Sequence, residues 1–180
     1  MQATQPINEE PPPGSLLKRF LVGRNPKRTL VRAAVLAVAA VITFRFILLP
    51  IRVTGISMEP TYHDKTVNII NRVAYFRSKP KRGDVVGAKM SNMSKNVHVM
   101  LLKRIIALPG ETVVIRRGTV YVDGEALEER YLQNQQPWDE EPGLLKPDEY
   151  YLIGDNRSMP KEQHDHGKAE ISQIVGKIIW

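Results

Sequence analysis

An apolar run from Thr29 to Ile51, opened by the basic residues Lys27, Arg28 and Arg32, constrains this chain more than any other feature. Wound as an α-helix, its 23 residues reach about 34 Å, enough to cross a hydrocarbon core of about 30 Å. The uninterrupted apolar heart, Ala33–Phe44, reaches only about 18 Å. A membrane span therefore requires Arg32 and Arg45 to extend their long stems toward opposite interfaces. The core helix of a soluble protein is the competing reading. The basic cluster favours a span with its N-terminus in the cytoplasm, and the long polar stretch ahead of it disfavours a cleaved targeting segment.

Charge follows the same division. Residues 1–52 carry eight basic side chains against two acids, so six of the chain's seven net positive charges lie there. Residues 53–180 are nearly neutral. Basicity confined to an arm beside an apolar segment is a topology signal, not a nucleic-acid footprint, and no nucleic-acid partner is expected. The chain has no cysteine, which excludes disulfides, thiolate catalysis and cysteine-ligated metals.

Residues 1–28 are polar and contain Pro11-Pro12-Pro13-Gly14, the composition of a disordered arm, within which Leu16–Val22 could lie along a membrane surface. Pro50 is expected to end the helix. Beyond it short β-type runs follow: Arg52–Ile56, Thr66–Ile70, Asp84–Ala88, Val97–Ala107, Thr112–Arg116, Val120–Val122, Tyr150–Ile153 and Ile171–Trp180. Pro109-Gly110 and Asp123-Gly124 mark turns, and Tyr131–Pro147, with three prolines, reads as a long loop. The expected organisation is an arm over 1–28, a transmembrane helix over 29–51 and a mainly β domain over 52–180, built of small antiparallel sheets or a partly closed barrel.

Four histidines (His63, His98, His164, His166) and Asp64, Asp84, Asp155 and Asp165 leave a Ser-His-Asp triad open by count, although no Gly-x-Ser-x-Gly elbow is present. His164-Asp165-His166 could hold a metal, but without a third ligand it reads as a polar surface loop. Ser57 follows Gly55 and precedes Pro60, a bend that can expose a hydroxyl and aim backbone N–H groups at an oxyanion. In a strand, Val99, Leu101, Lys103 and Ile105 share one face, apolar except for the lysine. Burial there disfavours the ammonium, and a neutral amine can take a proton from a serine hydroxyl. A lysine whose stem reaches solvent is the plainer reading of Lys103 alone. Arg104 faces the other way, as the expected solvent-side cation.

Four segments in order resemble the type I signal peptidase family. Ser57-Met58-Glu59-Pro60-Thr61 is similar to its Ser-Met-x-Pro-Thr motif, and Arg82-Gly83-Asp84-Val85-Val86 to its Arg-Gly-Asp strand. Lys103–Glu111 is similar to its Lys-Arg-hydrophobic-hydrophobic-x-Leu-Pro-Gly-acidic motif, and Gly154-Asp155-Asn156-Arg157 to its Gly-Asp-Asn-Arg box. The resemblance covers residues 45–180. It implies a serine endopeptidase with Ser57 as nucleophile and Lys103 as general base, and a site shaped by Gly55, Met58, Asp155 and Arg157. It implies no metal and no cofactor. Its substrates would be the signal peptides of exported preproteins, cut after small residues in an Ala-x-Ala pattern. The chain would be a monomer, held in a bacterial plasma membrane by a single span, with its catalytic domain outside the cytoplasm.

Gly55 stands where many members carry a serine, and Pro160, Glu162, Gln163 and His164 replace a box of Ser followed by Asp-Ser-Arg. Gln163 brings no hydroxyl to orient the lysine. Two other readings remain at this level: a self-cleaving repressor-type Ser/Lys protease, which should carry a DNA-binding helical domain and no span, and a catalytically silent, membrane-anchored β binding domain.

Overall fold

The computed structural model describes residues 25–89, 100–132 and 134–179. The arm over 1–24, including Leu16–Val22, lies outside the described residues, as does the stretch holding Val97, His98 and Val99. The chain divides into two units, Met1–Thr43 and Phe44–Trp180.

The described part of the first unit is α1, Pro26–Ile42, which runs on into a more widely wound turn over Thr43–Ile47. Pro26 suits the helix start, where its missing N–H would have no intrahelical partner. Lys27 and Arg28 occupy the first turn, where the helix dipole favours acids, and no acid is there. Helix stability therefore does not account for these two cations. Within the helical stretch Lys27–Ile47, an 18-residue window has a mean hydropathy of 2.1 and no buried portion. Leu30, Val31, Val35, Leu36, Val38 and Val41 are all exposed. A helix apolar on every side and buried on none is poorly suited to water, which weighs against the soluble core-helix reading.

The helix does not reach Ile51. Leu48–Arg52 form the first strand, β1, with Pro50 opposite Ile69. The expected helix terminator is thus a strand residue. β1 lies at the end of its sheet, and an edge strand tolerates a proline that has no N–H to give.

The second unit holds eleven strands among the described residues, and every pairing between strands is antiparallel. They are β1, β2 (Val67–Asn71), β3 (Val85–Lys89), β4 (Met100–Ala107), β5 (Thr112–Arg116), β6 (Thr119–Val122), β7 (Glu125–Ala126), β8 (Glu140–Leu144), β9 (Glu149–Ile153), β10 (Gly167–Glu170) and β11 (Ile174–Ile178). A seven-stranded sheet has the order β1-β2-β11-β3-β4-β9-β10, and a four-stranded sheet the order β7-β6-β5-β8. This is the expected mainly β architecture of small antiparallel sheets. Asp123-Gly124 turns β6 into β7 as read from the sequence.

Several details differ. Tyr131–Pro147 is not all loop, because Glu140–Leu144 pairs along β5 as an edge strand through an irregular register. Ile171–Gln173 is a short helical turn ahead of β11. Arg52 ends β1, and residues 53–56 leave the strand.

Three apolar clusters fill the unit. Val53, Met58, Ile70, Val85, Leu102 and Ile178 pack on one side of the larger sheet. Val86, Ala88, Ile105, Tyr150, Leu152 and Ala169 form a second cluster. A third joins Ile106, Ala107 and Ile153 to Val113, Ile115, Val120 and Trp138 of the smaller sheet. β4 contributes to all three, and it runs in mid-sheet between β3 and β9.

If α1 is a true span, the full-length chain stays with membranes through high-salt and alkaline carbonate washes, measured by sedimentation and immunoblot. Release into the carbonate supernatant contradicts a span.

Candidate active site

β4 carries Lys103 into the interior. Its register partner on β3 is Val86, so the two side chains share a face with Ile105. Lys103 is 1% exposed. Burial is the dominant influence on its amine and brings the pKa down to about 8, against the opposing pull of Asp165 and Asp155. The apolar face read from the sequence accordingly holds a buried lysine, and its stem does not lead to solvent.

The other half of the site is the bend after β1. Gly55 adopts a φ of +100°, a conformation that side chains rarely take, and its N–H donates to Asp64 Oδ1 at 2.9 Å. The bend then presents Ser57. Lys103 Nζ lies 3.0 Å from Ser57 Oγ, within hydrogen-bond reach. Among the described residues this amine, and no histidine, is the side chain bonded to the serine hydroxyl. Met58 is buried in the cluster of Val53, Ile70 and Leu102, which anchors the bend.

Gly154–Arg157 clamps that bend from behind. Asn156 N–H donates to the Ser57 carbonyl at 3.0 Å, and Asn156 Nδ2 donates to the Ile56 carbonyl at 3.0 Å. Thr61 Oγ1 donates to Asp155 Oδ2. Gly154 must be glycine: a Cβ there would sit 2.2 Å from the Ser57 carbonyl oxygen and 2.8 Å from the His164 ring. Asp155, itself buried, receives Arg104 Nε at 2.8 Å and Nη2 at 2.6 Å. Arg157 is buried as well. Its Nε donates to the Gly154 carbonyl at 2.9 Å, and its Nη2 pairs with Glu129.

The expectation for Arg104 is overturned. Its side chain is 12% exposed, forked onto Asp155, and lies 4.0 Å over the Tyr131 ring. The bond to Asp155 satisfies a buried carboxylate that a solvent-facing arginine would leave unpaired. His164 is not part of a polar surface loop: it is 2% exposed and edge-on to Trp138 at 4.9 Å between centroids. His166 stacks on the same tryptophan and lies 3.5 Å from Glu140. Gln163 and Glu162 are exposed. Sequence reasoning also passed over Asn156 as a clamp and Gly154 as a close-approach position. The only signal for either was membership of one short motif.

A cleft of about 210 Å³ opens beside Ser57, walled by Val53, Met58, Met100, Leu101 and Leu102, with Gly55 and Arg52 along it. The arrangement offers a serine hydroxyl, an amine depressed toward neutrality, and a largely apolar cleft beside them. That is the equipment of acyl transfer by an activated serine.

Known proteins of one family are similar to this chain. The family model described as signal peptidase, peptidase S26, matches residues 27–180. A probable signal peptidase I-2 of Synechocystis sp. is 31% identical over 152 residues, covering 83% of this chain and 68% of that protein. A signal peptidase I of Bacillus licheniformis is 33% identical over 167 residues, covering 84% of this chain and 88% of that one. The crystal structure of a signal peptidase I from Enterococcus faecalis aligns with a TM-score of 0.43 at 25% identity, over 56% of this chain and 97% of that one.

The buried amine carries a stability cost with a definite pH dependence. Its folded pKa of about 8 lies below the unfolded value of 10.5, so between these the unfolded chain binds more protons and stability rises with pH. Below about 8 the whole penalty is present, at most about 3 kcal/mol. Lys103→Met is therefore expected to stabilise the chain at pH 7, with a gain that shrinks as pH approaches 10.5. Denaturant unfolding across that range checks it, and a pH-independent gain or a loss at pH 7 contradicts it.

Proposed function

The chain belongs to the signal peptidase family, peptidase S26, a family of serine endopeptidases, and we propose that it cuts signal peptides from exported preproteins with Ser57 as nucleophile and Lys103 as general base. The observation that carries this reading is the 3.0 Å contact between a buried lysine amine and the serine hydroxyl. Lys103 Nζ, neutral, takes the proton of Ser57 Oγ as the oxygen attacks the scissile carbonyl carbon. Negative charge develops on the carbonyl oxygen. With Gly55 two positions upstream, backbone N–H groups of the bend are its donors. The Lys103 ammonium then returns the proton to the leaving amine, and the peptide bond breaks. In the second half a water gives a proton to Lys103 as it attacks the Ser57 ester, and the Lys103 ammonium hands that proton to Ser57 Oγ as the ester bond breaks and the new carboxyl end leaves. The scheme uses no metal and no cofactor.

The apolar side chains lining the cleft beside Ser57 support a pocket for the apolar side chains of an Ala-x-Ala pattern, the specificity that the family resemblance implies. The exposed apolar helix supports a membrane anchor. Lys27, Arg28 and Arg32 favour an N-terminus in the cytoplasm and a catalytic unit on the other side. Asp155 and Arg157 act by holding the bend and attack nothing themselves. Ser57 and Lys103 come from one chain, which supports a monomer.

Detergent-solubilised full-length chain should cleave a preprotein with an Ala-x-Ala boundary. Ser57→Ala and Lys103→Ala should each lower kcat by roughly a thousandfold or more. Since the reactive amine is the unprotonated one, kcat/KM should fall about tenfold per pH unit below about 8. Activity retained in either variant, or a profile flat to pH 6, removes the dyad.

A further inference from the structure

We infer that His164 is a positioning residue for Lys103, its ring supplying the hydrogen-bond acceptor that the Lys103 ammonium needs once it has taken the proton of Ser57. This rests on the Ser57/Lys103 reading above. His164 is almost wholly buried, yet among the described residues neither Nδ1 nor Nε2 makes a hydrogen bond of ordinary geometry. Leaving buried polar atoms unpaired is costly, so such a group in a native fold calls for a reason. Its place suggests one. The Cε1–Nε2 edge of the ring lies against Gly154, the same residue that abuts the Ser57 carbonyl, so the unpaired edge is turned toward the nucleophile's own segment. The ring is held there edge-on to Trp138, and the His164 N–H donates to the Lys161 carbonyl at 3.1 Å.

The charges around the ring fix its state. Burial comes first, then the cations Lys103 and Arg157 and the neighbouring His166, and together they bring its pKa down to about 3 against the weaker opposing pull of the Asp165 backbone. A neutral imidazole always offers one nitrogen as an acceptor. Lys103 needs one. At rest its amine meets Ser57 Oγ, but after proton transfer it is a buried ammonium with three donors, while Oγ has become bonded to the substrate carbon. Of the carboxylates that act on Lys103, Asp155 is already engaged by Arg104 and Thr61, and Asp165 lies next to His164 in the chain. In the substrate-free chain the ring nitrogens are beyond hydrogen-bond reach of Nζ, and contacts of this kind tighten when substrate is bound.

The test compares full-length wild type, Ser57→Ala, His164→Phe and His164→Gln for kcat, KM, the acid limb of kcat, which reports the substrate-bound enzyme, and the thermal midpoint. Cleavage by wild type and not by Ser57→Ala establishes the dyad reading separately; if that control fails, the dyad reading and this inference fall together. His164→Phe keeps a ring against Trp138 but no acceptor. It should leave KM within about twofold, lower kcat roughly ten- to a hundredfold, the worth of a hydrogen bond to a charged group, and move the acid limb to lower pH. His164→Gln, with an amide oxygen near the Nε2 position, should recover kcat to within about threefold of wild type and restore the acid limb. A folded His164→Phe with wild-type kcat and acid limb overturns the inference, as does a folded His164→Gln as impaired as the phenylalanine variant. If His164→Phe does not fold, His164→Met, unbranched and without a strong acceptor, replaces it with the same supporting and overturning results.

Discussion

A lysine amine kept out of water is the constraint on which the rest of this structure depends. Lys103 is buried because β4 lies in mid-sheet, with β3 along one edge and β9 along the other, and because its face is otherwise apolar. Burial makes the ammonium unfavourable and brings the amine toward neutrality at ordinary pH. The same burial destabilises the folded chain. The three apolar clusters to which β4 contributes offset that cost. The lowered pKa and the stability cost at this position have one cause.

A neutral amine does nothing unless the hydroxyl is held against it, and here the two halves of the chain cooperate. The bend at Ser57 is anchored in front by Met58 in the apolar cluster and from behind by two bonds from Asn156 and one to Asp155. Asp155 is in turn fixed by the fork of Arg104, the residue that follows Lys103 on β4. Consecutive residues of one strand thus serve both sides of the site, Lys103 reaching the hydroxyl and Arg104 bracing the turn that positions it. Arg157, bonded to the Gly154 carbonyl and paired with Glu129, closes the brace.

Much of this was legible in the sequence wherever the signal is local. The period-two alternation around Lys103 placed it on an apolar face, and Gly55 and Pro60 marked the bend. Ordered motifs then linked residues that lie far apart in the chain. What could not be read depends on distant partners. Arg104 looked solvent-facing because Asp155, 51 positions along, is invisible to a local pattern. His164 looked like surface because Trp138 and Gly154 bury it through tertiary contacts. Glu140–Leu144 was passed over as a strand because an edge strand with Pro142 and an irregular register has no alternation to show. The apolar run to Ile51 reads as one helix in the sequence, since hydrophobicity alone does not separate the end of a span from an edge strand.

The central claim concerns one titration, and nitrogen NMR of lysine-labelled, full-length chain in detergent micelles measures it most directly. The Nζ resonance assigned through Lys103→Met should titrate near pH 8 and be perturbed by Ser57→Ala, which removes its hydrogen-bond partner. A Lys103 amine that titrates near 10.5, as an exposed lysine does, and is unchanged by Ser57→Ala would contradict the account.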